Sequence, residues 1–160
     1  MSSSGNNPDQ VRIGLVGLGR MGTAILPRLL GGGRQITVWN RSHDKTRAAA
    51  EAGARVAVSL QELCHASDVV LTILFDDAAL KDVFLAPHGF LSGHCDGKLF
   101  IDMSTVLPET ARVIGSAVEA ASGSFVNAPV CGSVAPAREG NGRLRLCKRP
   151  FLARELYLGI

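Results

Sequence analysis

Three glycines offer the clearest chemistry in this chain. Gly17, Gly19 and Gly22 stand in G-x-G-x-x-G spacing directly behind the apolar run Val11-Arg12-Ile13-Gly14-Leu15-Val16, and a helix-like pattern follows. A strand that turns this tightly into a helix aims backbone N–H groups and the positive end of the helix dipole at one point. The pyrophosphate of a dinucleotide can rest there. Gly17 permits the tight turn, Gly19 lets the backbone approach the phosphates, and Gly22 lets helix and strand pack closely. Leu18, Arg20 and Met21 fill the intervening positions and are candidate cofactor contacts with them. The competing reading of the same glycines is a ligand-free turn between strand and helix.

A second strand pattern ends at Asn40, about where a dinucleotide fold places the residue that reads the adenosine ribose, roughly 20 residues on. An acid there would accept from both ribose hydroxyls and repel a 2′-phosphate. This chain has Asn40-Arg41-Ser42 instead. Asn40 is neutral, the Arg41 guanidinium can fork onto a phosphate, and Ser42 can donate. The expected cofactor is therefore NADP, with NAD less favoured. The plainer alternative makes Arg41 a solvated charge and Ser42 a helix cap. Leu74 and Phe75 end another strand pattern and either flank the nicotinamide side or serve as core and cap residues. Asp76 and Asp77 look like paired carboxylates, but a helix pattern follows them, which favours capping over acid–base work.

The elements that must hold these residues alternate. Strand-like runs cover 11–16, 35–39, 55–58, 68–74, 98–101 and 124–126, and helix-like segments cover 20–30, 44–52, 60–64, 78–84 and 109–121. Alternation with solidly apolar strands predicts an α/β fold, a Rossmann-type doubly wound, mostly parallel sheet with helices on both faces. Gly31-Gly32-Gly33 ends the first helix, and Pro27 within it is expected to bend or shorten it near Thr23. Ser42 is the expected N-cap of the second helix, and Pro108 suits the first turn of the last one.

At 160 residues the chain can form one domain that buries roughly 70% of its unfolded surface. No apolar stretch reaches the ~18 residues of a membrane span, and the polar start lacks the apolar core of an export signal. Residues 1–10 read as a disordered tail. Cys64, Cys95, Cys131 and Cys147 are widely spaced, which argues against a metal site or a disulfide framework and for reduced thiols in the cytoplasm. The net charge of +3 does not indicate nucleic acid. Arg143, Arg145, Lys148, Arg149 and Arg154 face a single acid in the last segment, Glu155, so the remainder is nearly neutral. Aromatic residues for base stacking are few.

With these residues in place, the chain resembles the β-hydroxyacid dehydrogenase family, which is related to the cofactor domain of 6-phosphogluconate dehydrogenase. Three stretches carry the resemblance: Gly14-Leu15-Val16-Gly17-Leu18-Gly19-Arg20-Met21-Gly22, then Asp102-Met103-Ser104-Thr105-Val106-Leu107-Pro108-Glu109-Thr110-Ala111-Arg112, then Ala128-Pro129-Val130-Cys131-Gly132-Ser133. The second matches the family's D-x-S-T-x-x-P-x-T-x-R and is far more specific than the glycines. The resemblance implies that Ser104 hydrogen-bonds the substrate carboxylate or carbonyl and that Thr105 meets the nicotinamide end. It also implies that backbone N–H groups around Gly132 and Ser133 hold the substrate carboxylate. Read without the family, Ser104 and Thr105 are caps at a strand-to-helix turn. Gly132-Ser133-Val134-Ala135-Pro136-Ala137 is similar to the glyoxylate and succinic semialdehyde reductase branch, and imine reductases share the first domain's motifs. Two positions depart from the pattern: Asn127 stands where Asp or Glu is usual, and Cys131 replaces Ser.

The implied chemistry is hydride transfer between the nicotinamide and a small carboxylate-bearing carbonyl or hydroxy acid. In the family a lysine on a long helix beyond the cofactor domain donates the proton, and a helical C-terminal domain makes the dimer, so a homo-oligomer is implied too. The resemblance covers 11–140, the expected NADP-binding domain. Residues 141–160 lack the family pattern and contain no counterpart of that lysine. The expectation is a truncated or frame-shifted product without the helical domain, weak or inactive alone. The alternatives are a short variant whose basic tail binds a partner and a non-catalytic nucleotide-binding or interaction module.

Overall fold

The computed structural model describes residues 11–31, 33–131 and 143–144. Six strands form one parallel sheet: β1 Ile13–Val16, β2 Ile36–Trp39, β3 Arg55–Val56, β4 Val69–Thr72, β5 Leu99–Asp102 and β6 Ser124–Asn127. Their order is β3-β2-β1-β4-β5-β6. The strand order therefore reverses at β1, whose Val16 pairs with Trp39 on one side and Thr72 on the other. In an open sheet of this kind the crevice beyond the carboxyl ends at the reversal point is where ligands bind. A short antiparallel pair, β7 Val130–Cys131 with β8 Arg143–Leu144, forms a second sheet and has no counterpart in the sequence-based expectation.

Both faces of the sheet are covered, which is why its strands are mainly apolar. Alternation along β1 sends Ile13 and Leu15 to one side, where they meet Ile25, Leu26 and Leu29 of α1 (Arg20–Leu30) and Ala49 of α2 (Thr46–Glu51). Val16 points to the other side, among residues of α3 (Leu60–His65), α4 (Asp77–Leu85) and α5 (Pro108–Ala120). Phe84 of α4 centres that second core. Its ring stands edge-on to Phe90, Phe100 and Phe125, with centroids 5.2, 5.3 and 5.8 Å away. Such tilted contacts place the electropositive ring edge against an electron-rich face.

Local chemistry explains where the elements stop. β3 ends two residues earlier than the apolar run suggests. Glu62 accepts from the Val58 N–H at 2.8 Å and Ser59 Oγ accepts from the Glu62 N–H at 3.1 Å, so these groups turn the chain into α3. Pro27 does not break α1, which runs unbroken to Leu30. Thr23 and Pro27 both face solvent, so the carbonyl deprived of its partner can bond water. Pro108 sits in the first turn of α5 as expected. A 3-10 turn, His43–Lys45, precedes α2, and Ser42 takes its N-cap position without a side-chain capping bond. Among the described residues no helix is long and apolar enough to cross a membrane.

Candidate functional site

The three glycines of the first turn do different work. Gly17 has φ +98°, and a Cβ there would overlap the Ile73 carbonyl oxygen. A Cβ on Gly22 would overlap the Gly17 carbonyl oxygen, so its bareness lets α1 close onto the turn itself. Gly19 is the exception. It has ordinary backbone angles, φ −73° and ψ −169°, and a Cβ there would meet nothing within 4 Å. Among the described residues nothing requires a glycine at that position. The space beside it faces the N-terminus of α1, whose cap carries no side-chain hydrogen bond and whose first turn has no acidic residue. Free N–H donors, the positive end of a three-turn helix and an empty approach fit the pyrophosphate of a dinucleotide.

Beside the turn lies a cleft of about 190 Å³. Gly17, Gly19, Asn40, Arg41, Ser42, Leu74 and Phe75 all line it, so it unites most of the cofactor contacts expected from the sequence. Trp39 and Lys45 line it as well. Sequence reasoning missed both, although Lys45 lies four residues beyond Arg41. Among the described residues neither Arg41 nor Lys45 is paired with a carboxylate. Asn40 is half-buried, and both ends of its carboxamide are hydrogen-bonded. Its Oδ1 accepts from the Leu18 N–H at 2.9 Å and its Nδ2 donates to the Ser42 carbonyl at 2.9 Å. Arg20 is exposed and Met21 packs against the core under α1, so these two face different surroundings.

The β4–α4 turn borders the cleft on the far side. Leu74 packs against the aromatic core, whereas Phe75 is 95% exposed. Asp76 is the N-cap of α4, accepting from the Ala79 N–H at 2.7 Å. Asp77 accepts from the Leu107 N–H at 3.0 Å and so pins the start of α5 to that of α4. Hydrogen bonding from the Thr110 side chain, then from the Leu107 N–H, holds the Asp77 carboxyl below its usual range. Both acids therefore serve helix ends, as the sequence pattern suggests.

Ser104 and Thr105 part company. Thr105 is exposed on the carboxyl rim of the sheet. Ser104 is 2% exposed, and its Oγ accepts from the Leu74 N–H at 2.8 Å. Beneath it lies Asp102, fully buried at the end of β5. Its Oδ1 accepts from Thr72 Oγ1 at 2.9 Å and from the Ser104 N–H at 3.1 Å, and its Oδ2 accepts from Asn127 Nδ2 at 3.0 Å. One carboxyl thus ties the ends of β4, β5 and β6 together. Burial pushes its pKa up, against the opposing pull of these hydrogen bonds. Asn127, which departs from the family's usual acid, supplies a donor where an acid would set two carboxyls face to face. Gly132 and Ser133 lie outside the described residues.

Comparison with known proteins agrees with this geometry. The family described as the NAD binding domain of 6-phosphogluconate dehydrogenase matches residues 12–144. Among curated proteins, the cytokine-like nuclear factor N-PAC of Danio rerio is 36% identical over 133 residues, covering 83% of this chain and 29% of its own length. Glyoxylate/succinic semialdehyde reductase 1 of Arabidopsis thaliana is 39% identical over 130 residues, covering 81% of this chain and 45% of its own length. A solved structure of Psf3 in complex with NADP+ and 2-OPP superposes with a TM-score of 0.80 at 31% identity, covering 86% of this chain and 49% of that one. The chain spans between about a quarter and a half of the length of these relatives. A parallel sheet reversing at β1, a glycine turn open at Gly19 and a family match across nearly all the described residues lead to one conclusion: this chain belongs to the family of the NAD binding domain of 6-phosphogluconate dehydrogenase, within the β-hydroxyacid dehydrogenases.

Proposed function

We propose that this chain binds NADP and forms the cofactor-binding half of an oxidoreductase of the 3-hydroxyacid dehydrogenase type, in a cytoplasmic setting. The observation that carries the reading is the open approach at Gly19 beside a cluster of Arg41, Ser42 and Lys45 with no acid at the end of β2. The first-turn N–H groups of α1 take the pyrophosphate. Arg41 and Ser42 meet the 2′-phosphate, and the Lys45 ammonium adds a third donor within the same cleft. Leu74 and Phe75 border the nicotinamide side. Bound NADP supplies or accepts the hydride. On the substrate side Thr105 is presented to the nicotinamide end, and the backbone at Gly132 and Ser133 receives a small carboxylate. Ser104 supports that rim from below by accepting the Leu74 N–H, which leaves its own O–H as the donor for anchoring substrate.

NADPH and NADH titrations of the wild type and of Arg41→Ala test the cofactor choice. The guanidinium–phosphate bond contributes about 1.5–3 kcal/mol, so the wild type should prefer NADPH by roughly ten- to two-hundredfold and the variant should lose most of that preference. An unchanged preference in Arg41→Ala would overturn the assignment. The 36% identity to a protein whose name describes a nuclear factor favours a second reading, a nucleotide-binding module without turnover. Carboxylate-dependent NADPH oxidation by this chain, with glyoxylate and succinic semialdehyde as first substrates, would exclude that second reading.

A further inference from the structure

We infer that Asn40 is a positioning residue: its carboxamide locks the glycine turn to the Arg41-Ser42 turn, so that the two phosphate-facing ends of the site move as one body. β1 and β2 are neighbours in register, and Gly17 N–H donates to the Trp39 carbonyl at 3.1 Å. The residues that follow these strands therefore leave the sheet side by side. Beyond that point the ladder stops, and the Leu18 N–H would be left without a partner beside a buried Leu18 side chain. Asn40 Oδ1 takes that N–H at 2.9 Å, while Nδ2 of the same group donates to the Ser42 carbonyl at 2.9 Å.

The two bonds require opposite polarity from one planar group. A backbone N–H must face oxygen and a carbonyl must face the amide nitrogen, so both contacts select the same orientation of the carboxamide. Asp could accept from Leu18 but would set a carboxylate oxygen against the Ser42 carbonyl. Ala would do neither. Asn is the side chain of this length that satisfies both turns. The residue at the end of β2 therefore has a task that does not depend on touching the ribose. It holds the pyrophosphate cradle and the 2′-phosphate contacts at a fixed spacing, which lowers the ordering cost of binding a ligand that spans them.

The inference rests on the cofactor reading for its ligand but not for its mechanics, and two measurements on the same proteins keep them apart. Backbone amide exchange without cofactor reads the brace. The Leu18 amide should exchange at least tenfold faster in Asn40→Ala than in the wild type, while Arg41→Ala and the core amides of β4 stay unchanged. Titration reads the consequence. Asn40→Ala should weaken NADH and NADPH alike, by about tenfold each, the scale of one lost hydrogen bond. Arg41→Ala should weaken NADPH alone. Asn40→Asp keeps the Leu18 acceptor, so the slow Leu18 exchange should return, while its added charge should cost NADPH more affinity than NADH. Unchanged Leu18 exchange in Asn40→Ala would overturn the brace. Loss of NADPH affinity alone in that variant would make Asn40 a direct reader of the phosphate and overturn the positioning role. A wild type that binds neither dinucleotide would sink the proposed function while leaving the exchange result to decide the brace.

Discussion

Replacing Gly19 by Ala separates what this chain needs in order to fold from what it needs in order to bind. The protein should barely notice the methyl group. The backbone angles at Gly19 suit any L-residue, and the new carbon would meet nothing within 4 Å. Ala is a poorer N-cap than Gly, but it also restricts the unfolded chain by about 0.4–1 kcal/mol in the stabilising direction, so the two effects nearly cancel. The midpoint of urea unfolding should stay almost where it was. The ligand should notice much more. The added carbon extends the backbone by roughly 1.5 Å into the space where the phosphates approach, so they must back away. Losing one charge-assisted bond to a first-turn N–H costs about 1.5–3 kcal/mol, a ten- to two-hundredfold weakening of NADPH binding. Fluorescence titration of NADPH, run beside urea unfolding of the same samples, measures both sides. A Gly19→Ala protein that binds within twofold of wild type would refute the claim that this opening is the phosphate cradle. One that unfolds would refute the claim that the glycine is unneeded by the chain.

Two further outcomes follow from the core and the buried carboxyl. Phe84→Ala removes the ring that three other phenylalanines lean on, and should lower unfolding free energy by roughly 3–5 kcal/mol in denaturant titrations. Asp102 binds its proton more tightly in the folded chain than in the unfolded one. Its contribution to stability is therefore fullest below the unfolded carboxyl value, near 3.9, and declines as pH rises through the raised folded value. Asp102→Asn cannot ionise, so its stability should lack that decline. Parallel thermal melts from pH 3 to 8 check this, and identical pH profiles for variant and wild type would contradict it.

Much of the scaffold could be read before any coordinates. α1 is bounded by a glycine turn and a glycine run, with apolar residues at helical spacing between them, and it spans the expected residues. Asp76 lies directly before an apolar helix pattern, and its capping role follows. What the sequence did not disclose depends on surroundings that only the fold supplies. β3 is cut short by Glu62, a residue of the following helix. Pro27 is tolerated because its side of α1 faces water. Asp102 heads a recognisable motif, yet its role as a hub emerges only when Thr72 and Asn127 are brought to it by the neighbouring strands β4 and β6. Asn40 is similar: its type suggested a neutral cofactor contact, while its bond to Leu18 depends on β1 and β2 lying side by side.

The strand order also sets the timetable of folding. β1 emerges first during synthesis, yet it occupies the middle of the finished sheet, with Ile13 paired to Ile36 on one flank and to Val69 on the other. The first flank can form early. The second must wait for more than thirty further residues, and until then a fully apolar strand presents an unpaired edge. Such long-range parallel pairing slows folding relative to local contacts and leaves intermediates open to association. The arrival of β4, which closes that edge and brings Ile73 up to Gly17, is thus the step at which the glycine turn first acquires its shape.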